Sequence, residues 1–234
     1  MKIKFYSFIL CVLLSFSLQA QKTNHSLWTN FLKKHVSSDG HVDYKTIHQH
    51  PEQLETCLQD LSRTVPDESW TKNETLAFWI NAYNAFTLKL ILDNYPITSI
   101  KDIKKPWEKE FIKTGSQIIS LSHIEHDILR KMNEPRIHFA IVCASVSCPK
   151  LLNEAYTAEN LENQLTRAAK DFLSDSSKNS ISTNNLELSK LFKWFGSDFT
   201  KYGSLIDFLN VYSDIQISND AKIKFKNYNW DLND

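Results

Sequence analysis

The residues best suited to covalent chemistry lie in one stretch, Arg136–Leu152, which has the sequence RIHFAIVCASVSCPKLL. It contains His138, Cys143 and Cys148, and its apolar run predicts a buried strand that enters a tight loop. A cysteine thiolate is a strong nucleophile, and histidine is the commonest general base near neutral pH. The stretch therefore predicts a cysteine-dependent hydrolase or acyl transferase with Cys148 as its nucleophile.

The residue after Cys148 offers a means of activating the thiol. Pro149 biases Cys148 away from helical angles, and proline is favoured at the first position of a helix. If a short helix opens at Pro149, Cys148 is its N-cap and faces unpaired backbone N–H groups. Those groups favour the thiolate and can hold an oxyanion. Lys150 adds positive charge nearby.

The histidine that serves this thiol is less clear from the chain order. His138 precedes Cys148 by ten residues, which separates them by roughly 30 Å if the chain stays extended. Unless the chain folds back sharply after Cys143, His138 cannot act on Cys148. We therefore favour His123 or His126 as the base, with Glu125 to orient it.

The same two cysteines support a second hypothesis, a non-enzymatic binding or scaffold domain closed by a Cys143–Cys148 disulfide. The intervening residues can form a turn that brings the two Cα atoms to about 5.5 Å. Cys57 then remains as an unpaired thiol on an apolar helix face. Because so short a loop gives little entropic stabilisation, the pair is equally compatible with redox activity.

Metal and cofactor sites find little support in the sequence. His123, His126 and Asp127 share a helical face, but zinc needs three or four ligands, and a histidine pair is a weak indication. With only four glycines, the chain contains no P-loop and no dinucleotide fingerprint, and it lacks the G-x-S-x-G and H-E-x-x-H motifs. We assign neither a metal nor a cofactor.

The strongest predicted helix carries two further site candidates. Thr71 and Glu74 form a capping box, and the helix runs to about Asn94 with apolar residues nearly all the way round, as in a central core helix. Asn81 and Asn84 interrupt it and must find hydrogen-bond partners. They either pin neighbouring backbone or line the site as substrate-binding residues.

A second capping box is predicted at Ser122 and Glu125, at the start of a helix over 123–131. Arg136 is expected to pair with Glu125 or Glu134, or to hold a substrate carboxylate. The core helix that carries Asn81 and Asn84 and the Cys148 loop are expected to form the two walls of one pocket, which Glu125 and a histidine approach from the helix over 123–131.

The remaining segments predict a single α+β domain over 21–234, mostly helical with a small β-sheet. The further helices are expected at 27–36, 51–62, 157–173, 191–195 and 204–212. The first two show helical apolar spacing, and Thr157 caps the third. Short strands are expected at 117–120 and 222–230, with a hairpin over 180–189 around Asn184 and Asn185.

The first residues, Met1–Ala20, have the pattern of a secretory signal peptide: Lys2 and Lys4, an apolar stretch, then the small Ala20. We expect cleavage there and a periplasmic or secreted protein, since the apolar part is too short for a stable membrane span. The 27 basic residues balance the 27 acidic ones, which argues against nucleic acid as a partner. The expected ligand is an unidentified small molecule or peptide.

Several segments together resemble the domain-of-unknown-function 547 family, in its exported bacterial form. They are the G-x-V-D-Y segment from Gly40, AFWINAYNAFTL from Ala77, LSHIEHDILR from Leu121, RIHFAIVCASVSCPKL from Arg136, and the tail segments around Trp194 and 228–233. The resemblance implies that these positions belong to one conserved arrangement. It brings no established activity with it.

Overall fold

The structure, a computed structural model, describes residues 25–234. Its α-helices are α1 Ser26–His35, α2 Tyr44–Gln49, α3 Glu52–Arg63, α4 Lys72–Leu92, α5 Leu161–Ser174, α6 Leu191–Trp194, α7 Gly196–Phe199 and α8 Leu205–Tyr212. A π-helix spans His123–Leu129, and 3₁₀ helices span Ile100–Asp102, Arg130–Met132 and Pro135–Phe139. The strands are β1 Ile112–Thr114, β2 Gln117–Ile119, β3 Ser180–Ile181, β4 Asn185–Leu188 and β5 Lys222–Phe225.

The fold is organised around α4, as its apolar composition predicts. The Thr71 side chain accepts from the backbone N–H of Glu74, and the Glu74 carboxylate accepts from the backbone N–H of Thr71. This confirms the predicted capping box. The helix is buried on nearly every face from Leu76 to Leu92. Such a helix must be surrounded by other elements, and α2, α3 and the π-helix all contact it.

The sheets are small and lie at the periphery. Strands β1 and β2 form an antiparallel pair. In the second sheet, β4 pairs with β3 antiparallel and with β5 parallel. With 47% helix and 10% strand, the structure confirms the predicted α+β class with mostly helical content. The predicted hairpin around Asn184 and Asn185 corresponds to β3 and β4.

Two hydrophobic clusters form the interior. The larger one joins α1 to α4 with the π-helix and the segment around Ile141. The smaller one joins α5 to α8 with β4 and centres on Phe139, whose ring contacts Phe172, Phe192 and Phe199. Phe139 thus joins the central stretch of the sequence to the smaller cluster, whereas Cys148 belongs to the larger cluster and Cys143 packs against it.

The predicted buried strand after Pro135 is wrong. The chain instead forms the 3₁₀ helix Pro135–Phe139, with proline in its first turn and the Glu134 side chain accepting from the backbone N–H of Arg136. A short apolar run does not by itself distinguish a strand from other buried segments. Here the backbone after the helix finds its partner in an asparagine side chain rather than in a neighbouring strand, as described below.

Two predicted helix caps in this region are also wrong. No helix opens at Pro149, since residues 149–152 have no regular structure, so Cys148 is not an N-cap. Ser122 forms no side-chain cap, and the backbone N–H of His123 donates to Ser120 Oγ instead. The Glu125 side chain lies in the interior instead, where its carboxyl group accepts a hydrogen bond from the Tyr83 hydroxyl. The helix predicted from Thr157 begins later, at Leu161.

The predicted signal peptide, Met1–Ala20, lies outside the described residues. Among the helices of residues 25–234, none combines the length and the apolar character needed to cross a bilayer.

Candidate active site

The thiols of Cys143 and Cys148 lie in contact, with 2.6 Å between their sulfur atoms. The backbone N–H of Cys143 also donates to Cys148 Sγ at 2.9 Å. The chain reverses between them because Ala144 has a φ of +57°, a left-handed conformation that is unusual for a residue with a Cβ atom. Neither cysteine is disulfide-bonded in this structure.

Asn84 on α4 holds the approach to this loop. Its Nδ2 donates to the carbonyl of Ala140 at 2.9 Å, and its Oδ1 accepts from the backbone N–H of Val142 at 2.9 Å. One buried amide thus supplies both hydrogen bonds that a neighbouring strand would supply. Asn81 makes the same two hydrogen bonds with the backbone of Tyr156. Its Nδ2 donates to the carbonyl at 2.8 Å, and its Oδ1 accepts from the N–H at 2.9 Å. Both asparagines therefore pin backbone, and only Asn84 acts next to the cysteines.

The C-terminal tail closes the loop from the other side. The backbone N–H of Val146 donates to the Asp231 carbonyl at 2.8 Å, and that of Ser147 donates to the Asn229 carbonyl at 3.2 Å. These bonds bring the Tyr228 hydroxyl within 3.3 Å of Cys148 Sγ and 3.4 Å of Cys143 Sγ. The tail therefore contributes a polar group directly to the thiol pair.

The turn that follows α1 braces the segment just beyond Cys148. Gly40 has a φ of +85°, and a Cβ atom there would lie 2.9 Å from Lys150 Cα. Only glycine fits both constraints. The carbonyl of Gly40 accepts from Asn233 Nδ2 at 3.0 Å, and Asn233 Oδ1 accepts from the Tyr44 hydroxyl at 2.8 Å. The G-x-V-D-Y segment and the tail thus meet beside the loop.

The two thiols have opposite electrostatic settings. Burial raises the pKa of Cys148, but hydrogen bonds from the Cys143 thiol, the Tyr228 hydroxyl and the Cys143 backbone N–H outweigh it and lower that pKa to about 6. The pKa of Cys143 is raised well above the ordinary value, because its proton is shared with Cys148 and its thiol is buried. Cys148 is therefore the thiolate of the pair, and Cys143 is the thiol that donates to it.

A cavity of about 260 Å³ opens beside this pair. It lies at the junction of the two hydrophobic clusters and is rich in aromatic side chains. Its walls are formed by Tyr83, Trp107, Glu108, Ser122, Glu125, His126, His138, Ile141, Cys143, Cys148, Pro149, Leu191, Trp194, Phe195, Tyr228 and Trp230. An apolar surround with a few titratable groups is the usual composition of a small-molecule site.

His138 lines the same cavity, because the chain folds back after Cys143. The predicted separation of roughly 30 Å, which rested on an extended chain, is therefore wrong. His138 is only 2% exposed, its ring stacks on Phe195 at a centroid distance of 4.0 Å, and its Nε2 lies 2.7 Å from Asp198 Oδ2. Burial lowers the pKa of His138 and outweighs the opposing effect of Asp198.

Asp198 is the anchor of this histidine. Burial raises the pKa of Asp198, but hydrogen bonds from His138 and from Arg130 outweigh it and hold that pKa far below the usual range. The two bonds from Arg130 measure 2.6 and 2.8 Å. An ionised carboxylate can only accept, so His138 Nε2 carries the proton of the neutral ring. Its Nδ1 then has a lone pair, as a general base requires.

The two residues of the π-helix that line the cavity differ in role. Glu125 accepts from the Tyr83 hydroxyl at 3.2 Å. Burial raises its pKa, which outweighs the opposing effects of His126 and Tyr83. The Nδ1 of His126 lies 3.1 Å from Arg130 Nη1. Because arginine can only donate, His126 Nδ1 accepts, and its Nε2–H is left as a donor.

Two candidates from the sequence lie elsewhere. His123 is not among the cavity residues, and its Nδ1 lies 3.3 Å from Asp127 Oδ2 on the outer side of the π-helix. Arg136 pairs with Glu134 at 2.7 Å, one of the two partners expected, and also with Glu162 at 2.6 Å. Its guanidinium is thereby fully engaged in ion pairs away from the cavity. Within residues 25–234, no three His, Cys, Asp or Glu side chains gather as metal ligands would.

Sequence reasoning did not identify Asp198, Tyr228 or Tyr83 as site residues. Asp198 and Tyr228 lie 60 and 80 residues from their partners in the site, so no local spacing connects them. The tail segments noted in the family resemblance were the one available indication. Tyr83 lies on α4 among apolar residues, so the sequence does not distinguish it from a tyrosine that only packs in the core. Its hydrogen bond to Glu125 is visible only in the structure.

Comparison with known proteins gives one match. A family model described as protein of unknown function, DUF547, matches residues 68–173, and it confirms the resemblance identified from the sequence motifs. The matched range contains Glu125, His138 and both thiols of the pair, whereas Asp198 and Tyr228 follow it. No curated protein and no solved structure matches the chain.

Proposed function

We propose that this chain, whose residues 68–173 match the model of the DUF547 family of proteins of unknown function, is a cysteine-dependent hydrolase or acyl transferase with Cys148 as its nucleophile. The observation that carries the proposal is the position of the Cys148 thiol in a cavity that His138 also lines. Hydrogen bonds from Cys143, Tyr228 and Ser145 stabilise the thiolate of this cysteine. A nucleophile and an anchored histidine in one cavity are the components that acyl transfer needs.

The first half-reaction follows from the state of each group. The Cys148 thiolate attacks the substrate carbonyl, and the bond from the carbonyl carbon to the leaving group breaks. Burial raises the pKa of Glu125, which makes its carboxyl group the candidate acid that gives the leaving group its proton. His126 and Tyr228, which line the cavity, are the candidate donors for the developing oxyanion. The product of this step is a thioester on Cys148.

The second half-reaction uses His138 and Asp198. Water, or an acceptor with an O–H or N–H group, attacks the thioester while His138 Nδ1 takes its proton. Asp198 stabilises the imidazolium that forms, as the carboxylate of a catalytic triad does. The thiolate of Cys148 leaves, and the proton returns through solvent from His138 to Glu125. Each cycle thus transfers one acyl group and restores both residues.

The aromatic walls favour an apolar acyl group over a charged one. A panel of chromogenic esters and thioesters with aliphatic, aromatic and charged acyl groups therefore tests the proposal. The wild-type chain should turn over at least one neutral apolar member. Cys148→Ala should be inactive, whereas Cys143→Ser, which keeps a donor beside Cys148, should retain activity. Absence of turnover across the panel, together with an ordinary alkylation rate at Cys148, would reject the enzyme.

The sulfur–sulfur contact of 2.6 Å favours a second candidate, a binding module closed by a Cys143–Cys148 disulfide. In that form the aromatic cavity holds an apolar small molecule or peptide and no nucleophile is free. Peptide mapping of protein isolated under non-reducing conditions separates the two candidates. A Cys143–Cys148 bond that resists mild reductant supports the module and removes the nucleophile.

We also propose that Met1–Ala20 directs export and that the mature protein is periplasmic or secreted. The support is the pattern of lysines, apolar residues and a small residue at position 20. Mass spectrometry of the protein from its native host should find a chain shortened near Ala20. A chain that still begins at Met1 would contradict export.

A further inference from the structure

We propose that the Cys143–Cys148 pair also carries out thiol–disulfide exchange, in which Cys148 attacks an apolar disulfide and Cys143 completes its reduction. The activity shares Cys148 with the proposed acyl transfer but does not depend on it. What points to it is a second thiol in contact with the nucleophile, at a position where acyl transfer needs only a hydrogen-bond donor.

The contact is built into the backbone at both ends of the loop. Asn84 holds the residue before Cys143, and the tail pairs with Val146 and Ser147 just before Cys148. The backbone N–H of Cys148 donates to the Ser145 carbonyl at 3.0 Å, which closes the turn. Because these bonds fix the loop independently of the sulfurs, the two thiols stay in register whether they are reduced or joined.

The donors around the sulfurs assign the attacking and resolving roles. Cys148 Sγ receives the Cys143 backbone N–H at 2.9 Å and the Tyr228 hydroxyl at 3.3 Å. Such donors stabilise the thiolate, which is the attacking species in exchange. The lowered pKa of Cys148 and the raised pKa of Cys143 agree with this division. Cys143 keeps its proton until the mixed disulfide has formed.

The reaction balances without any further reagent. The Cys148 thiolate attacks one sulfur of the substrate, the substrate S–S bond breaks, and the first substrate thiolate leaves. Cys143 then loses its proton to this thiolate and attacks Cys148 Sγ in the mixed disulfide. The second substrate thiolate leaves as the Cys143–Cys148 bond forms, and solvent supplies its proton. Two electrons pass from the protein dithiol to the substrate disulfide.

The cavity selects the class of disulfide. Trp194 and Trp230 stack with ring centroids 5.7 Å apart, and Trp107 packs against Trp230 at 5.8 Å. Flat aromatic walls favour a neutral aromatic or aliphatic group next to the disulfide. The Glu108 carboxylate also lines the cavity, so anionic disulfides are disfavoured. The substrate class is a disulfide with at least one neutral apolar half.

The experiment uses the full chain, reduced and freed of reductant, with Cys11 and Cys57 replaced by alanine. The probes are dithiodipyridine, which is neutral and aromatic, and dithiobis(nitrobenzoate), which is anionic. Three forms are compared at about pH 5: the parent, Cys143→Ser and Cys148→Ser, each checked for folding by circular dichroism. Released thiol is followed by absorbance, and intact mass gives the adducts.

The parent should release two equivalents of pyridinethione, carry no pyridyl adduct, and lose the mass of two hydrogens. Cys143→Ser should stop at the mixed disulfide, with one pyridyl group on Cys148. Cys148→Ser should react on the order of 100-fold more slowly, because the remaining Cys143 thiol does not receive the backbone N–H that stabilises the Cys148 thiolate. The anionic probe should react more slowly than the neutral one with the parent.

A parent that keeps pyridyl adducts, or a Cys148→Ser form that reacts as fast as the parent, would overturn the proposal. If Cys143→Ser fails to fold, Cys143→Ala takes its place and must give the same trapped adduct. The exchange and the acyl transfer fail separately. If esters are turned over but the Cys143–Cys148 disulfide does not form, only the exchange is rejected. If the disulfide forms but no ester is turned over, only the acyl transfer is rejected.

Discussion

The hydroxyl group of Tyr228 lies 3.3 Å from the sulfur of Cys148, although 80 residues separate them in the chain. Burial and the nearby sulfurs raise the pKa of this tyrosine, so its hydroxyl stays protonated and acts as a donor. A residue outside the matched family range thus sets the state of the nucleophile inside it.

Removing this donor should raise the pKa of Cys148. A hydrogen bond to a charged group contributes about 1.5 kcal/mol, which corresponds to about one pKa unit. We therefore expect Tyr228→Phe to move the midpoint of Cys148 alkylation up by about one pH unit. Tyr202→Phe, at a tyrosine that is 78% exposed, is the matched control and should leave the midpoint unchanged. An unmoved midpoint in Tyr228→Phe would show that the hydroxyl does not stabilise the thiolate.

The wild-type chain should itself show a displaced pH profile. Because the pKa of Cys148 is lowered to about 6, its thiolate persists as the pH falls to that value and is protonated below it. Alkylation at Cys148 should thus have its midpoint near 6, against about 8.5 for the same cysteine in the unfolded chain. Burial raises the pKa of Cys57 to about 11, so its peptide is the internal control. A native midpoint above 8 would contradict the assignment of Cys148 as the thiolate.

Asn84 and Asn81 offer a matched pair of substitutions on one helix. Each satisfies a backbone carbonyl and a backbone N–H, so alanine at either position should lower the free energy of unfolding by about 2–4 kcal/mol in denaturant titrations. Only Asn84 holds the segment that leads to Cys143. Under conditions where both variants are folded, Asn84→Ala should therefore slow Cys148 alkylation at mildly acidic pH, and Asn81→Ala should not. Equal alkylation rates in the two variants would show that Asn84 has no influence on the reactivity of Cys148.

Asp198→Asn tests the role of His138 in the second half-reaction. An amide at this position no longer stabilises an imidazolium, so kcat for ester turnover should fall by on the order of 100-fold or more, with KM little changed. Alkylation of Cys148 needs no base and should be unaffected. Asp127→Asn, which loses the contact with His123 outside the cavity, should keep full turnover. A loss of alkylation and turnover together in Asp198→Asn would indicate a structural role only.

The sequence alone determined those features that depend on neighbours in the chain. The capping box of Thr71 and Glu74 and the apolar surface of α4 are local patterns, and the structure contains both. The loop between Cys143 and Cys148 was equally accessible, because only a turn was needed to join the two thiols. The α+β class followed from the number and spacing of such segments.

Tertiary structure decided what surrounds the thiols. The apolar run before Cys143 was compatible with a strand, and it became an irregular segment because Asn84, far back on α4, satisfies its backbone. The same fold-back brought His138 into the cavity, whereas Asp198 and Tyr228 reached it from distant parts of the chain. Hydrogen bonds between remote residues leave no periodic trace in a sequence, since they depend on how the elements pack. The chain order therefore indicated the reactive cysteine, and only the packing supplied the donors and the histidine that share its cavity.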